Sequence, residues 1–302
     1  MKTRAGATLD LYVSAVALMG EQVAAWRRGE TASMSIPHRV AHTLSTAADK
    51  RAYALATVLA SGPRDDASRA VQSAMLCIAA AEPLVRDART LRHLALAALL
   101  VDAGRTRLGG VAGLDLDVFQ TLPDSLDALA PASSAALGLV GWSGAPTLDW
   151  AVTAFEVAWR ERPRLGALYD GTIEPHFAAL LLCTVRTFLE RVAPRDRAEP
   201  LSPLEALASL EGDRRARALL ATAVGRPPTG TLFELETGQW AVMGPPGDRR
   251  LARVLTDEKG QALDAPMWTE LGQSGGANPT RVIAPADARF NVAQAFFGDF
   301  TG

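Results

Sequence analysis

The hydrophobic pattern of this chain changes period once, at Gly225, and that change constrains the fold more than any other feature. Upstream, apolar residues recur three and four positions apart, which is the spacing of one helix face. Leu9, Leu11, Val13, Val16, Met19 and Val23 predict a helix over residues 8–28, with Gly29 placed to end it. A second helix is predicted from Pro37 to Ala60, stopped by Ser61-Gly62-Pro63. Further helices are expected over 67–81, 86–100, 123–129, 131–139, 147–159, 174–192, 204–210 and 213–224, with a loop-rich segment after Gly109-Gly110. Downstream of Gly225, Thr231–Glu236 and Gln239–Met243 alternate around Thr237-Gly238, the pattern of a β-hairpin. Strands are also expected over 251–256 and 267–271. The fold class is therefore mainly α, a helical bundle preceded by N-terminal helices and followed by a small antiparallel β-module. The corresponding segments are 1–60, 61–225 and 226–302.

Composition excludes several function classes. The 302 residues suffice for a sizeable core. A net charge of −2 with 21% charged residues gives no reason to expect a nucleic-acid polymer as partner. The basic clusters Arg27-Arg28 and Arg214-Arg215-Arg217 are short and read as solvated helix faces. No apolar run reaches the roughly 18 residues of a membrane span. The start, Met1-Lys2-Thr3-Arg4, does not continue as a signal peptide. Cys77 and Cys183 lie in apolar runs and read as reduced core residues of a cytoplasmic protein.

Residues able to carry chemistry are few. There is no phosphate-binding glycine loop, and Gly141-Trp142-Ser143-Gly144 and Gly272–Gly276 are turn material. The histidines are His38, His42, His93 and His176. His38 and His42 share a helix face but lack a third ligand. His93, among Leu91, Leu94 and Ala95, reads as a half-buried structural residue. Nothing in the sequence brings Glu156 and Glu174 together as a carboxylate pair.

Several short motifs do occur in a telling order. They are Ala97-Ala98-Leu99-Leu100-Val101-Asp102-Ala103-Gly104-Arg105, Ala154-Phe155-Glu156-Val157-Ala158, Glu174-Pro175-His176-Phe177 and Pro203-Leu204-Glu205-Ala206-Leu207. Val224–Leu232 with Glu236-Thr237-Gly238 and Val242 follows, and Phe290-Asn291-Val292 ends the series. Over residues 50–300 this series resembles the HD-GYP family, the cyclic di-GMP phosphodiesterase branch of the HD phosphohydrolases, in its myxobacterial form. The resemblance implies an HD-type helical bundle. It also implies that family metal ligands fall on Val71, Val101, Asp102, Val157, Ala158 and Arg186. Of these only Asp102 is able to ligate, and one carboxylate does not hold two ions. The family's G-Y-P loop is not recognisable between Arg160 and Ile173.

The expectation is a protein without metal, cofactor or hydrolytic activity. The resemblance implies that the positions of Asp102 and Arg186 would ligate the same ion in an active relative, so the two are predicted to form an ion pair in the emptied site. The plainer alternative leaves Asp102 as a helix cap and Arg186 in solvent. Function is then expected to be that of a scaffold or adaptor in bacterial signalling, cell organisation or motility, with another protein or a second copy as partner. Two alternatives accompany it. One is a non-hydrolysing receptor for cyclic di-GMP or another phosphate, in a cleft lined by Arg69, Asp102, Arg105 and Arg186. The other is a divergent phosphohydrolase. Phe296, Phe297 and Phe300 either offer a partner surface or pack back on the β-module.

Overall fold

The computed structural model describes residues 2–30, 33–59, 65–114, 122–140, 147–168, 173–195, 199–247, 249–272, 277–288 and 290–297. The helices run in the order α1 (Lys2–Arg27), α2 (Ser35–Thr46), α3 (Tyr53–Leu59), α4 (Asp66–Ala81), α5 (Ala88–Leu100) and α6 (Ala103–Val111). They continue as α7 (Asp124–Asp127), α8 (Ala130–Leu139), α9 (Thr147–Arg160), α10 (Phe177–Val192), α11 (Pro203–Ala208) and α12 (Arg214–Val224). Strands β1 (Leu232–Leu235), β2 (Trp240–Met243), β3 (Leu251–Thr256), β4 (Ala262–Glu270) and β5 (Pro279–Val282) follow, and α13 (Val292–Phe297) closes the described chain.

Helix α4 organises the body. All 16 of its residues are buried, and α1, α3, α5, α10 and α12 pack around it. The Asp65 carboxylate accepts the Ser68 N–H and sets its start. Asp87 caps α5 in the same way, Ser202 and Glu205 form a reciprocal capping box on α11, and Asp213 caps α12. One apolar cluster runs from Tyr12 to Val224, so segments 1–60 and 61–225 share a core.

In the helical body, α2–α3 and α6 differ from the sequence reading, and in the β-module β5 and α13 were not expected. The helix expected from Pro37 to Ala60 is broken into α2 and α3. Ala47 is extended, and the buried Tyr53 hydroxyl donates to the Leu44 carbonyl, which a continuous helix would give to the Ala48 N–H. Helix α6 was not expected, because it contains Gly104, Gly109 and Gly110. Gly104 and Gly110 allow close packing instead of breaking the helix. A Cβ on Gly104 would collide with the Ala130 carbonyl, and one on Gly110 with that of Arg27.

The five strands form an antiparallel sheet in the order β4-β3-β2-β1-β5. The expected hairpin is present, with Leu232 opposite Val242 and Glu234 opposite Trp240. β4 begins at Ala262, earlier than expected, because Asp264 and Pro266 hide its start; an edge strand tolerates both. One sheet face joins Leu232, Val242 and Leu255 to Leu55 and Leu59 of α3 and to Phe296 and Phe297.

The aromatic tail therefore packs back on the sheet. Phe296 and Phe297 are buried, which corrects their reading as a partner surface; Phe300 lies outside the described residues. Fully buried Arg253 reinforces the docking, donating to the Phe296 carbonyl with its guanidinium 5.6 Å from the Phe296 ring centre. Among the described residues no helix is long and apolar enough to cross a membrane.

Candidate functional site

The charged residues of the apolar helices converge where α5 passes into α6. Asp102 stands at the start of α6 but makes no side-chain cap bond, so its carboxylate is turned elsewhere. Arg186, from the middle of α10, meets it with a two-pronged contact: Nη1 donates to Oδ2 at 2.9 Å and Nη2 to Oδ1 at 3.0 Å. The pair expected from the sequence is thus present, and the cap alternative is not. The other edge of the same guanidinium donates from Nε and Nη2 to both oxygens of Glu161. Arg195, just beyond α10, adds a bond from Nη2 to Asp102 Oδ2 at 3.1 Å.

A second acid, Asp66 in the first turn of α4, extends the cluster. Thr106 donates to it at 3.2 Å, and Arg195, Arg105 and Arg27 approach to 3.6, 3.9 and 3.5 Å. Arg69, one turn further along α4, donates from Nη2 to the Ala193 carbonyl and lies 3.4 Å from Glu190. Arg69, Arg105, Arg186 and Arg195 thus sit among Asp66, Asp102, Glu161 and Glu190, four positive charges against four negative, with Arg27 at the rim.

Burial and pairing oppose each other here, and pairing wins at Asp102. Burial raises the carboxyl, but the charges of Arg186 and Arg195 hold it well below the usual carboxylate range. Burial lowers the Arg186 guanidinium, and Asp102 and Glu161 more than reverse the shift. Arg69 is pulled down to about 10, by burial first and by the charge of Arg195 second, against the opposing effect of Glu190. Such an Asp102 stays ionised, with three N–H groups on its oxygens, and offers no proton for catalysis.

The other positions that the resemblance assigns to metal ligands are apolar. Val71, Val101, Val157 and Ala158 are at most 1% exposed and belong to the main core. A metal ion does not fit this donor set, since four positions carry hydrocarbon and Asp102 is already engaged by two cations. Among the described residues no three His, Cys, Asp or Glu side chains come together as a metal site requires. Nor do Arg69, Asp102, Arg105 and Arg186 line an open cleft. Arg69 is 3% exposed, and Arg105 is turned toward Asp66.

The remaining candidates have structural partners. His93 and His38 lie edge-on to buried Trp150 with ring centres at 4.8 and 5.8 Å, while His42 is exposed. Glu156 accepts the His176 backbone N–H at 2.8 Å and steadies the approach to α10. Cys77 is buried and Cys183 half-buried, both free. Sequence reading missed Glu161, Glu190, Arg195 and Asp66 as partners. The available signal was charge embedded in apolar helices, at Arg69 and Arg186. No family model, curated protein or solved structure matches this chain.

Proposed function

We propose that this chain is a degenerate relative of the HD-GYP phosphodiesterases. On this reading it neither binds metal nor hydrolyses phosphodiesters, and works as a protein-binding scaffold or adaptor in bacterial signalling, cell organisation or motility. The observation that carries the reading is the two-pronged Arg186–Asp102 contact with Arg195 added. On this reading, fixed positive charge stands at positions that the resemblance assigns to metal ligands. A fold stripped of its ions retains a rigid surface, and function then resides in what that surface binds. Incubation with cyclic di-GMP and either Mn²⁺ or Fe²⁺, followed by chromatography, tests the reading. The dinucleotide is expected to remain intact; turnover that is lost in Asp102→Ala would overturn it.

A further inference from the structure

Helices α8 and α9 form an antiparallel hairpin whose outer side is apolar. α8 contains no charged residue, and such a helix is ordinarily buried on all sides. Here one side is exposed: Leu129 at 54% and Leu139 at 44%, with the exposed alanines Ala132 and Ala136 between them. On α9, Leu148 at 57% and Val152 at 42% continue through half-buried Phe155 and Trp159. These two rows keep the three-and-four spacing that a helix uses to meet another helix.

We propose that this hairpin is the face through which two copies of the chain pair, α8 against α8 and α9 against α9, both antiparallel. The proposal deepens the binding-protein reading by naming the partner, and rests on it only in taking the exposed face as one kept for binding.

Three features select a second copy as the occupant. First, both rows are symmetric. Leu-Ala-Ala-Leu on α8 reads the same in either direction about position 134, and the α9 row is evenly spaced about the midpoint of Val152 and Phe155. About a two-fold axis residue i meets j while j meets i, so rows spaced in this way bring apolar residues opposite apolar residues along their whole length. Second, one axis serves both helices. The Trp150 indole N–H donates to the Gly138 carbonyl at 3.2 Å, which brings the first turn of α9 beside the last turn of α8. Helices that meet at those turns have their row centres within about one helical turn, roughly 5 Å, of each other, so one axis passes close to both. Third, the charges match. Asp149 and Arg160 are exposed on the same edge of the α9 row. In an antiparallel pair like edges meet, so Asp149 of one copy faces Arg160 of the other. Asp149 also lies 3.9 Å from His93 Nδ1 within its own chain.

The size suits a reversible pair. The exposed leucines and Val152 offer on the order of 400 Å² of apolar surface, the size of the largest apolar patch on an ordinary soluble chain, which is often a functional one. A face two helices wide and roughly 20 Å long buries on the order of 1,200 Å² over both copies, the lower bound for specific association.

Sedimentation of the full chain up to about 100 μM, a range that reports micromolar dissociation constants, is expected to give a species of twice the 31.9 kDa chain mass. Ala132→Arg and Val152→Arg should each give monomers with unchanged helical circular dichroism, since both sites are exposed. Asp149→Arg should weaken pairing about tenfold by setting like charges together, and Asp149→Arg with Arg160→Asp should restore it. A wild-type chain that stays monomeric overturns the proposal, as do dimers indifferent to both arginine substitutions. Cyclic di-GMP hydrolysis measured on the same sample reports separately on the reading beneath it.

Discussion

Replacing Arg186 by Met tests the electrostatic account of the site in quantitative form. The substitution keeps the chain's bulk but removes the guanidinium that holds Asp102 and Glu161. Arg186 and Asp102 side chains are 8% and 12% exposed, so the pair is largely out of water. Removing one partner of a buried pair typically costs about 3–5 kcal/mol, most of it the penalty for the charge left behind. Arg195 still reaches Asp102 at 3.1 Å, and Glu161 is 32% exposed and able to rehydrate. The expected loss is therefore at the low end, about 3 kcal/mol. Asp102→Asn with Arg186→Met removes the stranded charge and should cost less than the Arg186→Met change alone. The double-mutant cycle should then give a coupling of about 2 kcal/mol. Urea denaturation followed by circular dichroism at pH 7 measures all four chains. An Arg186→Met chain within about 1 kcal/mol of wild type, or a cycle without coupling, would refute the reasoning.

Three further outcomes follow from the same structure. Gly104→Ala places a methyl group against the Ala130 carbonyl and the Ser134 backbone N–H, neither of which moves without the backbone, and against the Ser134 hydroxyl. It should lower stability by about 2 kcal/mol, within the usual cost of overpacking, and an unchanged melting temperature would contradict this. Acidification should act in two stages. Burial lowers His38 and His93, so the unfolded chain takes up protons first as pH falls through about 6.5, and stability declines modestly. Asp102 is depressed in the folded state, so its contribution is present above about 3.9 and lost as pH falls below that value. Urea midpoints measured from pH 8 to pH 3 should show both stages, and a midpoint that rises on acidification would be inconsistent with them. Phe296→Ala empties a fully buried position beside Trp268, whose ring centre is 5.6 Å away. It should cost about 3–5 kcal/mol in the same denaturation assay, whereas a neutral result would mean that the tail is not docked.

What could be read from the sequence depended on the range of the interaction. Helix faces repeat locally, so α1, α4, α5 and α8–α12 were visible in the spacing of their apolar residues, and β1 and β2 in their alternation. The break after α2 was not, because it depends on a hydrogen bond from Tyr53 back to Leu44. Helix α6 was hidden by glycines that serve contacts with Arg27 and Ala130, both distant in the chain. At the site, Asp102 and Arg186 were identifiable through the family resemblance. Glu161 and Arg195 were not, because no local pattern marks a residue that reaches across from a helix end. Buried Arg253 was likewise hidden, since its partner is the Phe296 carbonyl, 43 residues away.

The central claim is that cationic side chains occupy the place where ions would have to bind. Metal content measures this most directly. The chain should be produced in medium supplemented with iron and manganese, purified without chelator and analysed by mass spectrometry of the elements. Iron, manganese and zinc are each expected well below about 0.1 per chain, because Asp102 alone, already held by Arg186 and Arg195, makes too few bonds to retain them. One or two metal ions per chain, lost in Asp102→Ala, would contradict the account.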